Sequence, residues 1–141
     1  MLRTFADDGI AFDYPAGWKV DREEGEEGWT LTLQSPGAAF AAIRLDRGMP
    51  DAVEVVEAAL ATLKSVYPAL EATSAIEAIA GEMAVGHDIE FFSLDIANQA
   101  WTRCFFGPAG TVLVLCQLSD VDDADYEAAL HAIAASMRIE E

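Results

Sequence analysis

Thr111-Val-Leu-Val-Leu-Cys-Gln-Leu118 is apolar on both parities: Val112, Val114 and Cys116 alternate with Leu113 and Leu115. Successive side chains of a β-strand point to opposite faces, so a strand wetted on one side alternates apolar with polar residues. This segment does not alternate. It predicts a central strand buried on both faces, with something packed on each side of its sheet.

Reading outward, Gly107-Pro-Ala-Gly110 is a turn cluster that joins this strand to an extended arm over Asn98–Phe106, giving a hairpin. Before that arm, Glu82–Ile96 is a long extended run with Val85, Ile89 and Phe91 on one parity and Phe92, Leu94 and Ile96 on the other. Gly81 marks a turn after a further extended stretch, Leu70–Ile79. In the first third, Trp29–Ser35 sets Trp29, Leu31 and Leu33 against Thr30, Thr32 and Gln34, the pattern of an antiparallel strand with one face buried. Ala11–Tyr14, Trp18–Arg22 and Phe40–Arg47 read as strands bounded by Pro15-Ala-Gly17, by the acidic turn Glu23–Gly28 and by Ser35-Pro-Gly37.

Two segments switch to the helical period. Asp51 followed by Glu54 forms a capping box, and Val53, Val56, Leu60, Leu63 and Tyr67 make an apolar stripe that Pro68 ends. Acids at its start and Lys64 near its end suit the helix dipole. From about Asp122, Tyr126, Leu130, Ile133 and Met137 make a second stripe behind the acidic first turn Asp122, Asp123 and Asp125. The order of elements predicts one α+β domain over residues 1–141: a mainly antiparallel sheet of about six strands flanked by helices, an α/β/α sandwich.

The chain carries 25 Asp and Glu against 8 Lys and Arg, a formal charge of −17. Clustered cations are what neutralise phosphates, so nucleic acid and anionic membrane surfaces are excluded as expected partners, whereas a basic partner fits. No apolar stretch of signal-peptide length follows a basic start, and two cysteines make no disulfide framework, so the expected compartment is the cytoplasm.

Chemistry is sparsely signalled. His87 and His131 are the two histidines, and neither has a base partner or nucleophile at diagnostic spacing, so both read as structural or surface residues. Cys104 and Cys116 lie on the two hairpin arms with the same parity and are expected on one face, opposed or diagonal according to register. Neither sits at a helix N-terminus that would favour thiolate, so they read as buried free thiols. Asp120–Asp125 departs from a calcium loop, with Ala124 at the fifth place and Asp125 where glycine is required. No motif calls for a cofactor or a metal, and the chain reads as a protein without catalytic activity. A Cys104 or Cys116 nucleophile with His87 is the weakest alternative.

The densest charge cluster is Glu23, Glu24, Glu26 and Glu27, flanked by Trp18 and Trp29. It is the expected partner-binding surface: an acidic loop with a partly exposed tryptophan, Trp29, beside it.

Asp8-Gly-Ile-Ala-Phe-Asp-Tyr-Pro-Ala-Gly-Trp-Lys-Val20 resembles the opening of the PsbP-like family, where an aromatic-x-Tyr-Pro-x-Gly-Trp segment precedes the sheet. Ala134-Ala-Ser-Met-Arg-Ile139 is similar to that family's final helix, which ends in Ser-aromatic-Arg. The resemblance implies an antiparallel sheet between helices, with Tyr14, Pro15 and Trp18 shaping a turn and filling core. It also implies a binding or assembly role, as in photosystem II extrinsic subunits, Ran-binding regulators and DcrB-like bacterial proteins, some of which are chaperones for toxin effectors. The expected function is therefore a cytoplasmic binding or adaptor module for a protein partner, chaperone-like in one form, with room for a homodimer. The alternative is a small-molecule carrier whose apolar pocket, between sheet and final helix, is lined by Phe91, Phe105 and Phe106.

Overall fold

The computed structural model describes residues 1–140. Among these residues a seven-stranded antiparallel sheet forms the middle layer, in the order β3 (Lys19–Glu24), β4 (Gly28–Gln34), β5 (Phe40–Asp46), β9 (Thr111–Ser119), β8 (Ile96–Phe106), β7 (Glu82–Ser93) and β6 (Glu71–Ile79). A small sheet of β1 (Leu2–Asp7), β2 (Ile10–Pro15) and β10 (Arg138–Ile139) lies apart from it. The helices are α1 (Ala52–Val66) and α2 (Ala124–Ala135).

The central strand β9 behaves as its sequence demands. Val112, Val114, Cys116 and Leu118 are buried on one face and Leu113 on the other, with β5 and β8 as its neighbours. On the first face, α2 and the small sheet cover β4, β5 and β9, enclosing Phe12, Trp29, Leu31, Leu33, Ile43, Leu130 and Ile133 in the main core. On the second face α1 covers β7, β8 and β9, with Ala52, Val55 and Val56 against Cys104 and Leu113, and Leu60 against Leu70, Ile89 and Phe91. Each helix thus spans only part of the sheet. The two covers are offset, so part of the α2-side face of β6–β7 and the α1-side face of β3–β4 stay open.

Some expectations need correction. The main sheet has seven strands rather than about six, and β1 was not anticipated. Its clue is Asp8-Gly9, whose φ angles of 49° and 79° make the mirror-image turn that tight hairpins require. In α1 the stripe is rotated: Val53 is 53% exposed, and Ala52 and Val55 take the inward positions beside Val56. Asp51 does cap this helix, accepting from the Glu54 N–H at 3.1 Å.

Cys104 and Cys116 occupy opposite faces, not one. The hairpin loop sets Phe106 opposite Thr111, so Cys104 faces Leu113 and Cys116 faces Trp101. Opposed residues share a face and neighbours alternate, so like parity across this loop means opposite faces.

Candidate functional site

The acidic turn comes first because the sequence singled it out. Glu23 and Glu24 end β3, opposite Thr30 and Trp29, and Gly25 closes the turn by donating to the Gly28 carbonyl at 2.7 Å. With Arg44 and Asp46 the turn borders a concavity of about 420 Å³. Glu24 is already engaged by Arg47 at 3.1 Å and Arg22 at 3.4 Å. Trp29 is not partly exposed as expected. It is 1% exposed, and its indole Nε1 donates to Asp8 Oδ2 at 2.8 Å. Trp29 therefore serves the core, and the turn offers Glu23, Glu26 and Glu27 without an aromatic anchor.

A second concavity, of about 430 Å³, lies where α2 stops short of the sheet edge. Its floor is Arg103 of β8, whose side chain is only 9% exposed. Arg103 Nε reaches Glu77 Oε1 at 2.5 Å and Nη2 reaches Asp88 Oδ1 at 2.8 Å, while Nη1 donates to the Thr102 carbonyl at 2.8 Å and the His87 carbonyl at 3.3 Å. A guanidinium removed from water needs its donors filled, and these four acceptors take four of its five N–H groups. Opposite Arg103 in the register is Gly86, where a Cβ would collide with the Thr102 carbonyl, so β7 and β8 approach here only because the residue is glycine.

One wall is a flat plate. Trp101 of β8 stacks on His131 of α2, with ring centroids 4.6 Å apart and planes 7° from parallel. The other wall is acidic, built from Glu71 and Thr73 of β6 with Asp88 and Glu90 of β7; Glu77 shares their face and borders the smaller concavity alongside. Glu71 lies directly opposite Glu90, both exposed, and neither carboxylate has an ion-pair partner among the described residues. A smaller concavity bordered by Ala134 and Ala135 shares Trp101, Arg103 and His131 and extends the groove along α2.

The remaining candidates separate. His87 is on the α1 face, buried, with Nε2 3.4 Å from Glu57 Oε1 and Nδ1 lacking a hydrogen-bond partner among the described residues. Cys104 shares that face, but burial pushes its thiol up to about 12, and burial does the same to Cys116. A nucleophilic thiol needs the opposite shift. Asp122 and Asp123 are loop builders: Asp122 accepts from the N–H groups of Ala38 and Ser119, and Asp123 caps α2. Among the described residues no three His, Cys, Asp or Glu side chains converge as metal ligands. Phe91, Phe105 and Phe106 do not line a common pocket, because Phe105 is in the main core while Phe91 stacks on Tyr67 beneath α1 and Phe106 is 48% exposed.

No protein-family model and no curated protein matches the sequence. Solved structures do. The chain aligns over 98% of its length with 92% of cyanobacterial PsbP (CyanoP) from Synechocystis sp. PCC 6803, with a TM-score of 0.62 at 14% identity. The fold is PsbP-like. LpqN of Mycobacterium tuberculosis, a protein involved in cell envelope biogenesis, is similar over 100% of this chain and 91% of its own, with a TM-score of 0.55 at 14% identity. PA94 of Pseudomonas aeruginosa, a protein of unknown function, is similar over 96% and 94% respectively, with a TM-score of 0.54 at 13% identity. At such identities the similarity establishes the fold and not the activity.

In this PsbP-like chain the two segments that carry the family resemblance meet in space. Ile10 and Ala11 of β2 pair with Ile139 and Arg138 of β10, and the Asp13 N–H donates to Ser136 Oγ at 2.8 Å. Trp18 is 7% exposed and packs edge-on against Tyr126 of α2. These motif residues close the small sheet and fix α2, so they hold the fold and lie outside the groove.

Proposed function

We propose that this protein is a non-catalytic binding module that engages a basic protein partner through the groove between α2 and the β6–β7 edge. The observation that carries the reading is the Glu71–Glu90 pair. Like charges directly opposite on neighbouring strands destabilise a sheet, and here they stand unpaired at the mouth of a concave site. A cation placed between them removes that repulsion, so binding energy is available at the place where the free protein is strained. Arg103 does not compete, because its own carboxylates satisfy it. His131, exposed and stacked on the buried Trp101, supplies a flat surface for the stem of a Lys or Arg side chain.

A chaperone that shelters an apolar helix calls for an apolar groove. The concavities of about 430 and 420 Å³ are both bordered by carboxylates, which favours a charged segment as the cargo.

The test is affinity capture from the source cytosol with three baits: the native chain, a groove variant (Glu71→Lys with Glu90→Lys) and a turn variant (Glu23→Lys with Glu26→Lys). A stoichiometric basic partner retained by the native and turn baits and lost by the groove bait is the expected result. Loss from the turn bait alone would move the site to the β3–β4 turn, and indifference to both would refute the proposal.

A further inference from the structure

The groove borders an edge strand whose outer side is unguarded. The sheet ends in β3 and β6. An edge strand presents unpaired N–H and C=O groups, and proteins commonly blunt such edges with charge, proline, bulges or shortness. β3 is blunted: Lys19, Asp21, Arg22, Glu23 and Glu24 make five of its six residues charged. β6 is different. It runs nine residues in unbroken register with β7, from Glu71 opposite Glu90 to Ile79 opposite Glu82. Its middle, Ala72-Thr-Ser-Ala-Ile76, holds no charge and no proline.

The two faces beside that edge differ in kind. On the groove face β6 shows Glu71, Thr73 and Glu77, with Asp88 and Glu90 behind them on β7. On the α1 face the register places Ile76 beside Val85 and Met83 beside Ala78, with Ile76 67% and Met83 68% exposed. A chain laid along β6 would send alternate side chains to these two environments, acidic on one side and apolar on the other.

We infer that β6 accepts an added strand, and that the segment it recognises is an extended chain with basic and apolar residues in alternation. Backbone hydrogen bonds to β6 supply affinity, as in other strand-addition complexes, and the alternation supplies specificity. The occupant is a basic segment and not a second copy of this chain. Joining two β6 edges would gather Glu71, Glu77, Asp88 and Glu90 from both copies on one face against two arginines, with −17 charges on each chain. This inference rests on the groove being a protein-binding site and adds the mode of binding.

The probe is a labelled nine-residue peptide of alternating Lys and Val, titrated onto the full chain by fluorescence anisotropy. Four companions accompany it: a block peptide of the same composition, an alternating Glu and Val peptide, and two forms of the probe N-methylated at every second residue, one for each edge. Strand addition uses one edge of the peptide. One methylated form should therefore bind about as well as the parent and the other about tenfold weaker, the equivalent of losing about 1.4 kcal/mol. The block and acidic peptides should bind at least about tenfold more weakly as well.

Equal binding by both methylated forms, or by the block peptide, overturns strand addition while leaving the groove reading intact. Failure of every peptide overturns it too, and the affinity capture then decides the groove separately. A dimer in sedimentation that Ile76→Lys dissociates would make a second copy the occupant and overturn the choice of a basic segment.

Discussion

The indole Nε1 of Trp29 and the carboxylate of Asp8 are 2.8 Å apart, a bond that ties the main sheet to the β1–β2 turn. Arg47 adds a second donor to the same oxygen at 3.0 Å. The Trp29 N–H holds Asp8 below the usual carboxylate range; burial opposes it, and Arg47 adds to the lowering. Because the folded value is depressed, the stability this group contributes is complete above its unfolded value of 3.8 and is lost as pH falls below that. Asp8→Asn tolerates the left-handed backbone at φ 49° and removes only the charge. In urea unfolding the native chain should lose more stability than Asp8→Asn between pH 7 and pH 3. Identical losses would mean the bond adds nothing to folding.

Arg103 gives an asymmetric pair of substitutions. Its guanidinium is 9% exposed, whereas Glu77 and Asp88 are 50% and 61% exposed. Replacing both acids (Glu77→Gln, Asp88→Asn) strands a buried charge and should cost about 3 kcal/mol. Arg103→Met leaves two carboxylates that water reaches, and should cost about 1 kcal/mol. Denaturant midpoints compare them, and a larger loss for Arg103→Met would refute this account of the floor.

Legibility in the sequence followed the range of the interactions. Where a pattern is local it was readable: the doubly apolar β9, the alternation of β4 and the Asp51 cap follow from residues a few positions apart. The faces of Cys104 and Cys116 were not, because parity across a hairpin depends on the register its loop imposes. The turn Glu23–Glu27 stood out because its acids are consecutive. The groove acids lie on two strands, and only pairing sets Glu71 against Glu90. A single arginine such as Arg103 carries no sequence mark of burial, since its partners come from β6, β7 and its own strand.

The β7–β8 turn stores local strain. Leu94 and Asp95 have φ angles of 52° and 64°, a conformation suited to Asn-Gly, and Leu94 is 93% exposed, so its side chain packs on nothing. Leu94→Asn with Asp95→Gly should stabilise the fold by about 1 kcal/mol. Calorimetry that finds the double variant less stable would assign Leu94 a contact that this turn does not show.

The two thiols report on the packing of both faces. Cys104 lies under α1 and Cys116 in the main core, each 0% exposed. Burial raises both to about 12, so their share of stability is intact below the ordinary value of 9.0 and is lost as pH climbs from there toward 12. At pH 8 a thiol-exchange reagent should label neither cysteine in the native chain and both after unfolding. Rapid native labelling of Cys104 alone would show that α1 opens from the sheet.

Glu71 and Glu90 separate stability from binding. If their repulsion is a standing cost of the free protein, Glu90→Lys should turn it into an attractive cross-strand pair and stabilise the fold by about 0.5 kcal/mol. The same substitution removes one of the carboxylates a basic partner would meet, so affinity should fall while the melting temperature rises. Added salt should narrow the stability gap between native chain and variant, because screening already relieves the repulsion of exposed charges. A variant that is both more stable and equally competent for the partner would place binding elsewhere. One that is less stable would mean Glu90 makes a favourable interaction in the free chain, and the argument from like charge would fall.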